Sequence, residues 1–467
     1  MAQEVLMLET HDIQGLILSG YKSQPHANYI FLSLRNGADP KPWLGDLLNR
    51  VTPAEGFDRN RSASTNIAIS YKGFVRLGLG EGTLATFSRA FIEDMSNDAR
   101  AQLLGDHPED WSWGKQGHNI HVLLMLFAKT GMDLADLRQR ELRIAQTIFD
   151  EVLSIDSQVL PLPGGKLNHE HFGFVDGLAQ PTIVGYREEK RAANGPGSDV
   201  RAGEFILGYE NEYGQRTASP HLRTPDNDQA GILPDQDLGR NGTYLVIRQM
   251  EQDVAGFWKM IRSQCARPDG TPDLDTEEEL SAKIIGRWRD GRPLAVPDPV
   301  DPTRLNDFGF AKDPYGQRCP IGAHIRRANP REMLLADPKE SVTTLKRHRV
   351  LRRGRPYGPE IQDRYTPDGL PRGLVFAVLN ANIERQFEFI QHAWISSPNF
   401  AGMYDEADPL LGGRTESSGA FTIQKCPVRE RRTGIESHIT VKGGAYFFVP
   451  GLKALRYLSL QRPGSRP

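Results

Sequence analysis

Three sites along the chain carry side chains that could do chemistry together. Asp176 offers a carboxylate close to glycines in the sequence. His324 directly follows Gly322 and Ala323, and Arg352 lies in a basic stretch. An imidazole can bind a soft metal, a carboxylate can move protons, and an arginine supplies a fixed positive charge. Together these groups form the set with which a haem could cleave hydrogen peroxide.

The motif Gly173-Phe-Val-Asp176-Gly177 is a weak signal by itself, because Asp-Gly is ordinary turn chemistry. Its apolar flanks, which include Phe172 and Phe174, add weight to a functional interpretation. A carboxylate among apolar groups is costly unless it has a charged partner or a chemical task. We therefore favour an acid/base role for Asp176 over a surface turn.

His324 has a competitor for the role of metal ligand in Cys319, since a Cys-Pro pair can bind haem iron through its thiolate. The small residues before the histidine leave room for a flat ligand. Guanidinium groups after it suit the propionates of a haem or another anion. The arginines that follow within seven positions are Arg326, Arg327 and Arg331. The pattern favours His324 as the ligand.

The stretch from Lys346 to Arg355 holds six Lys or Arg residues. A solvated edge strand or a nucleic-acid patch would also explain this density of charge. The net charge of the chain, −2, argues against nucleic acid. Because side chains alternate along a strand, Arg352 and Arg353 should face opposite sides, and one of them can point inward.

Two histidine pairs raise the question of a metal site. They are His118-x-x-His121 and His169-Glu-His171, and neither has a third ligand at a useful spacing. We interpret both as structural. The chain also lacks a Walker lysine, a Gly-x-Ser-x-Gly motif and a Gly-x-Gly-x-x-Gly motif after a strand, so phosphate, acyl-serine and dinucleotide chemistry have no support.

Composition is that of a globular protein, with 38% hydrophobic and 25% charged residues in 467. The longest apolar run, 122–128, is far shorter than the roughly 20 residues that span a bilayer. The N-terminus shows no signal-peptide pattern. Three widely spaced cysteines do not form a disulfide framework. These features predict a cytoplasmic protein that acts on neither membranes nor nucleic acid.

Hydrophobic periodicity predicts an α+β protein of two ferredoxin-like domains, 1–200 and 201–467, each an antiparallel sheet with helices packed on it. A loop-rich region at 186–240 would connect them. In the first domain the strands are predicted at 29–34, 65–71, 118–127 and 152–160, and the helices at 41–51, 84–95 and 134–149. In the second, strands are predicted at 243–249, 373–379 and 446–449, and helices at 254–264, 383–394 and 452–460.

The chain resembles the dye-decolorizing peroxidases, and the similarity extends over nearly its whole length. Three motifs occur in the family's order: the Gly-x-x-Asp-Gly loop, the proximal-histidine segment and the distal-arginine strand. The length and the N-terminus are similar to those of the larger bacterial members. The segments that carry the resemblance are 12–21, 173–177, 323–331, 351–358 and 373–377.

The resemblance implies one haem b per chain, bound in the C-terminal half, and oxidation of dyes, phenols and other aromatic reductants by hydrogen peroxide. It implies His324 as the iron ligand, with Asp176 as the distal acid/base and Arg352 as the distal arginine. The other expected haem contacts are Arg326, Arg327, Gly173, Gly177, Leu374, Phe376 and Asp408.

Two alternatives stay open within this assignment. Asp408 is expected to hold the second nitrogen of His324, and Asp405 and Glu406 compete with it for that role. A haem-binding protein without turnover, acting in haem storage, sensing or iron release, would share the histidine and the fold. It would not need the Asp176–Arg352 pair. The oligomeric state is left open, a homo-oligomer included.

Overall fold

One large antiparallel sheet organises the chain. The computed structural model describes residues 7–461, apart from 57, 59, 163, 165, 166, 187–193, 225 and 414–418. The strands of the sheet are rich in β-branched, aromatic and leucine side chains, which suit a pleated, buried surface. They are β1 (His26–Leu34), β2 (Ala63–Ile69), β3 (Val122–Ala128), β4 (Phe149–Gln158), β5 (Thr243–Gln252), β6 (Leu351–Arg352), β7 (Arg355–Tyr357), β8 (Gly373–Asn380) and β9 (Ile439–Val449).

The order of the strands shows two similar halves. The N-terminal half runs β4-β1-β3-β2, and the C-terminal half runs β9-β5-β8-β7. In both halves the order is therefore fourth, first, third and second strand. The halves meet where β9 pairs with β2 and where β7 pairs with β4, so the sheet closes into a barrel. The predicted pair of ferredoxin-like units is confirmed. Because the halves share one continuous sheet, the boundary at residue 200 stays a prediction.

The two faces of the barrel bury separate cores. Alternate residues of both halves, such as Phe31, Leu123 and Phe447, pack together inside the barrel. Their neighbours along the strands, such as Ile30 and Leu124, pack outward against the helices. This alternation follows from the period of two in a β-strand. It decides which side chains of β6 to β8 can reach a site outside the barrel.

The helices pack on the outer faces of the sheet or in its connections. Two consecutive π-helical segments, Glu384–Glu388 and Ile390–Ile395, follow β8. The α-helices are α1 (Gly15–Leu18), α2 (Lys41–Leu48), α3 (Tyr71–Leu77), α4 (Glu81–Leu84), α5 (Arg89–Glu93), α6 (Asp98–Leu104), α7 (Gly131–Ala145), α8 (Val254–Cys265), α9 (Leu274–Ile285), α10 (His324–Ala328), α11 (Pro338–Lys346) and α12 (Leu452–Leu460).

Most predicted elements lie within a few residues of the observed ones, although β9 begins at Ile439, seven residues before the strand predicted at 446–449. The single helix predicted at 84–95 is wrong, because α4 ends at Leu84 and α5 begins at Arg89. Ser88 caps α5 by accepting a hydrogen bond from the N–H of Phe91, and such a cap starts a new helix. In the described part of the loop-rich region, only short parallel strands and single helical turns occur. No helix among the described residues is long and apolar enough to cross a membrane.

We predict that Gly373→Ala destabilises the sheet at the start of β8. A Cβ at this position would lie 1.9 Å from the carbonyl oxygen of Met250 on β5, so the paired strands would have to move apart. Overpacking of this kind costs about 1–3 kcal/mol in the free energy of unfolding. Thermal unfolding of Gly373→Ala should show a lower Tm. The Tm should not fall in the control variant Gly131→Ala, where the added Cβ meets open space. An unchanged Tm in Gly373→Ala would contradict this packing.

Candidate active site

A large cavity lies outside the barrel, against the outward face of β8. It encloses about 1720 Å³ of space free of protein atoms, part of it open to solvent. Leu374 and Phe376 project into it, whereas Val375 between them points into the barrel core. Helices α9 and α10 and the second π-helical segment contribute the opposite walls. Mainly apolar walls with a few charged groups are typical of a cofactor or substrate site.

His324 reaches this cavity from the first position of α10. Its Nδ1 lies 3.0 Å from Oδ2 of Asp408, a carboxylate that is completely buried. Asp408 is fixed in turn, because its Oδ1 accepts hydrogen bonds from the backbone N–H groups of Leu410 and Leu411 at 2.8 and 2.9 Å. The second ring nitrogen of His324 is therefore left to face a ligand in the cavity.

The structure separates the three carboxylates that competed for the role of partner to His324. Glu406 instead accepts hydrogen bonds from Thr422 and pairs with Arg431 at 3.1 Å, and Asp405 is exposed. Burial lowers the pKa of His324, but the charge and hydrogen bond of Asp408 outweigh burial and raise the pKa overall. A carboxylate-bound imidazole is a stronger electron donor to a metal.

Asp176 lies at the end of a hairpin formed by the short strands Asn168–His169 and Val175–Asp176. Its Oδ1 accepts a hydrogen bond of 2.9 Å from Nη1 of Arg352, and both side chains border the cavity. Arg352 faces outward because it lies on β6, where Leu351 packs into the barrel core. Arg353, the rejected alternative, instead donates to the carbonyl oxygens of Leu16 and Ile17.

The ion pair decides the charge state of Asp176. Burial raises the pKa of this carboxyl, but the charge of Arg352, together with hydrogen bonds from Arg352 and the backbone N–H of Gly177, outweighs burial. The pKa is lowered below its usual value as a result. Asp176 therefore stays a carboxylate into the acid range, ready to accept a proton.

The two glycines of the Asp176 loop differ in position. Gly177 borders the cavity, whereas Gly173 packs against the guanidinium of Arg289 and lies outside the lining of the cavity. Both have positive φ, 82° and 95°, which only glycine adopts without strain. Gly173 thus shapes the loop and, contrary to the expectation from sequence, does not border the cavity.

Arg326 and Arg327 were expected to bind the anionic groups of a ligand, and the structure contradicts this. Both are completely buried away from the cavity. Arg326 pairs with Asp313 at 3.1 Å, and Arg327 donates to carbonyl oxygens, that of Trp394 among them at 2.6 Å. Arg326, two positions after His324, is rotated to the other side of α10. Arg327, three positions after His324, is directed to buried carbonyl oxygens and does not border the cavity.

Cys319 is also remote from the cavity. Its thiol is completely buried, with Sγ 4.0 Å from the carbonyl oxygens of Gly286 and Pro320. Burial raises the pKa of this thiol to about 12. A neutral thiol is a poor metal ligand, because the thiolate is the form that coordinates. Of the two candidate ligands only His324 borders the cavity, so the geometry favours the histidine.

Three other arginines border the cavity and are almost fully buried. Arg331 was noted in the sequence, whereas Arg287 and Arg349 were missed. None of the three forms an ion pair with a carboxylate of the described chain. Burial lowers their pKa values to about 9 for Arg331 and about 10 for the other two. Arg349 belongs to the basic stretch before β6, which was the signal that could have found it.

The paired histidines have structural roles. Nδ1 of His121 accepts the N–H of Leu34 at 2.8 Å, and Nε2 of His171 lies 2.8 Å from the carbonyl oxygen of Tyr357. His169 lies 3.5 Å from Glu360. Within the part of the chain that the structure describes, no three His, Cys, Asp or Glu side chains form a group that could hold a metal ion.

Comparison with known proteins identifies the family. A multifunctional dye peroxidase from Amycolatopsis is 33% identical over 463 residues, which span 92% of this chain and 91% of that protein. The chain belongs to the dye-decolorizing peroxidase family. A dye-decolorizing peroxidase from Mycetinis scorodonius is 28% identical over 487 residues, covering 96% of this chain and 87% of that protein. No protein-family model matches the chain.

Solved structures of dye-decolorizing peroxidases have the same fold. A DyP-type peroxidase from Anabaena superposes with a TM-score of 0.78 at 25% identity, over 96% of this chain and 94% of that one. A family member in complex with 2,6-dimethoxyphenol gives the same TM-score and identity over 96% and 99%. The protein is therefore a peroxidase of a haem-dependent family, and the alternative of haem binding without turnover is not favoured.

We predict that Arg352→Leu raises the pKa of Asp176. Without the arginine, burial remains as the main influence, and it disfavours the charged carboxylate. The carboxylate should then take up its proton at a higher pH than in the parent protein. Infrared titration of the carboxyl band, assigned by its loss in Asp176→Asn, measures this shift. A pKa that is equal or lower in Arg352→Leu would contradict the observed electrostatics.

Proposed function

We propose that this peroxidase holds one haem b per chain in the cavity, with His324 as the iron ligand and Asp176 and Arg352 acting on hydrogen peroxide. The observation that carries the proposal is that these three side chains, remote from one another in sequence, border one largely apolar cavity. Asp408 orients the histidine and Arg352 keeps the carboxylate charged.

The charges around the cavity fit a haem. A haem b carries two propionates, and the cavity wall holds buried arginines without carboxylate partners among the described residues. The Nε of Arg349 has no hydrogen-bond partner among the described residues, and its Nη2 makes a long contact of 3.3 Å to the carbonyl oxygen of Ala179. Arg349 is therefore the side chain that would hold a propionate. Arg331 also borders the cavity and would add positive charge there, although its Nη groups already donate to Phe308 and Asn306.

When it is bound, haem iron supplies the electrons that break the peroxide O–O bond. The side chains of the protein manage the proton and the charge. The carboxylate of Asp176 accepts the proton of one peroxide oxygen and delivers it to the other, which leaves as water. Its low pKa keeps it able to accept a proton in acid solution, where a histidine would already be charged.

Arg352 acts on the same bond through its permanent charge. Negative charge develops on the departing oxygen, and a cation already held in place stabilises it without reorganisation of solvent. The guanidinium is positioned by β6 and by its hydrogen bond to Asp176. Leu374 and Phe376 keep this side of the cavity apolar, and a low dielectric strengthens the effect.

Aromatic compounds are the proposed reducing substrates. The relatives named above are dye peroxidases, and one family member has been solved with 2,6-dimethoxyphenol. By this relationship the protein would oxidise dyes and phenols at the expense of peroxide. The near-neutral net charge of −2 fits small organic substrates better than nucleic acid or a membrane surface.

We predict that His324→Ala abolishes stable haem binding and that Cys319→Ser does not. The histidine borders the cavity, whereas the cysteine is buried elsewhere with a neutral thiol. The measurement is haem content per chain after reconstitution, together with the Soret band. Normal haem content in His324→Ala combined with loss in Cys319→Ser would overturn the ligand assignment.

We predict that Asp176→Asn and Arg352→Leu both slow the reaction with peroxide while haem content is retained. Loss of a general acid/base costs about 10²- to 10⁴-fold, and loss of an electrostatic donor about 10²- to 10³-fold. We expect the arginine variant to be slower, because water can carry a proton but cannot replace a fixed charge. Stopped-flow changes in the Soret band give the rates.

The matched control for this pair is Arg138→Leu, which removes a partly exposed arginine paired with Glu151 at 2.7 Å, remote from the cavity. It should react with peroxide at the parental rate. Parental rates in both Asp176→Asn and Arg352→Leu would show that these residues do not act on peroxide.

A further inference from the structure

The hairpin that carries Asp176 has a loop whose backbone is incompletely paired by the backbone itself. Across residues 170–174 the N–H of Gly173 binds the carbonyl oxygen of Glu170, and the N–H of Glu170 binds that of Phe174. The N–H groups of Phe172 and Phe174 have no backbone acceptor among the described residues. Buried amides seldom remain unpaired, so the loop depends on a side chain to satisfy them.

The side chain of Glu170 supplies that acceptor. Its Oε2 accepts the N–H of Phe172 at 2.9 Å, and its Oε1 accepts the N–H of Phe174 at 3.0 Å. A third hydrogen bond, 2.6 Å long, comes to Oε2 from the Nε2 of Gln252 at the end of β5. One carboxylate thus ties both free amides of the loop to the barrel. Hydrogen bonds to a charged acceptor are about twice as strong as neutral ones.

The charge of Glu170 makes its position costly. It borders the cavity close to Asp176, and no Lys, Arg or His of the described chain forms an ion pair with it. Burial raises the pKa of Glu170, and the negative charge of Asp176 adds to the increase. A second carboxylate beside a catalytic one is unfavourable unless it contributes something that a neutral side chain would not.

We propose that Glu170 is a positioning residue for Asp176: by holding the two loop amides, it keeps the Asp176 carboxylate against Arg352 and in reach of peroxide. The proposal rests on the acid/base role proposed for Asp176. Glu170 itself does not exchange protons with peroxide in this scheme, because the three N–H donors to its oxygens favour the carboxylate without a proton.

The rest of the loop shows why the amides matter. The aromatic rings are already held on one side, since Phe172 stacks on Phe257 with ring centroids 4.4 Å apart. The carbonyl oxygen of Phe172 accepts a hydrogen bond of 3.2 Å from Trp258. Asp176 follows Phe174 by two residues, so release of the Phe174 amide acts almost directly on the catalytic carboxylate. A displacement of about 1 Å in such a group can lower a rate by about 10²-fold.

Glu170→Gln is the variant that tests the proposal. Glutamine has the same size, but its NH₂ group is a donor and would oppose one of the two loop amides. We expect the rate of reaction with peroxide to fall about 10- to 100-fold, with haem content unchanged. Hydrogen exchange of a peptide covering 168–178 should become faster. Glu360→Gln, which changes an exposed glutamate that lies 3.5 Å from His169, is the matched control and should change neither quantity.

A double-mutant cycle with Asp176→Asn distinguishes positioning from a general structural role. If Glu170 acts through Asp176, Glu170→Gln should lower the peroxide rate by less than about 3-fold when Asp176 is already replaced, because the two effects are coupled. An equal loss in both backgrounds would overturn the inference, as would a parental rate in Glu170→Gln itself. A parental rate in Asp176→Asn alone would instead overturn the proposed function.

Gln252→Leu provides a second route should Glu170→Gln fold poorly. It removes one of the three donors and leaves both loop amides bound to the carboxylate. We expect a smaller loss in the peroxide rate than in Glu170→Gln, and again little loss in the Asp176→Asn background. A full additive loss in that background would contradict the positioning role.

Discussion

The hydrogen-bonded ion pair of Asp176 and Arg352 is the interaction on which the site depends. A carboxylate in an apolar cavity would take up a proton unless a nearby cation stabilised its charge. The 2.9 Å contact with Arg352 provides that cation, and Arg352 faces the cavity because β6 alternates its side chains between the barrel core and the outside. The closed sheet thus fixes the direction of the arginine, and the arginine fixes the protonation state of the carboxylate.

The opposite side of the site follows the same rule with the charges exchanged. His324 is the group that gains positive character when it binds a proton or a metal, and the buried Asp408 stabilises that charge from behind. Two backbone N–H groups hold the carboxylate in place. His324 and Asp176 are therefore each paired with one side chain of opposite charge, and the backbone fixes the position of that side chain. A preorganised pair of this kind does not need to rearrange during a reaction.

Much of the fold and the centre of the site could be predicted from sequence, because they depend on local patterns. Continuous apolar runs such as Val122–Ala128 mark buried strands, and His324, which follows two small residues, borders the cavity. The helix break at Ser88 was missed, since its capping hydrogen bond competes with a helical pattern on both sides. Propensity alone does not decide between these two outcomes.

The errors at the site concern residues whose role depends on direction and on distant partners. Arg326 and Arg327 lie close to His324 in sequence, yet Arg326 pairs with Asp313 and Arg327 donates to the carbonyl oxygen of Trp394, and neither borders the cavity. Glu170 was passed over as part of a histidine pair, because the donors to its carboxylate are two backbone N–H groups and a glutamine on β5. Sequence spacing cannot indicate contacts that only the closed barrel creates.

Burial alone does not separate structural from functional arginines in this protein; contact with the cavity and the lack of a carboxylate partner do so together. Arg326 is completely buried, but Asp313 neutralises its charge and the carbonyl oxygen of Cys319 accepts from it at 2.7 Å. Arg349 is nearly as buried, yet it has no carboxylate partner among the described residues and its Nε is unpaired. A folded chain tolerates an uncompensated guanidinium where a ligand completes it. Arg349 therefore marks the side of the cavity at which an anionic ligand would bind.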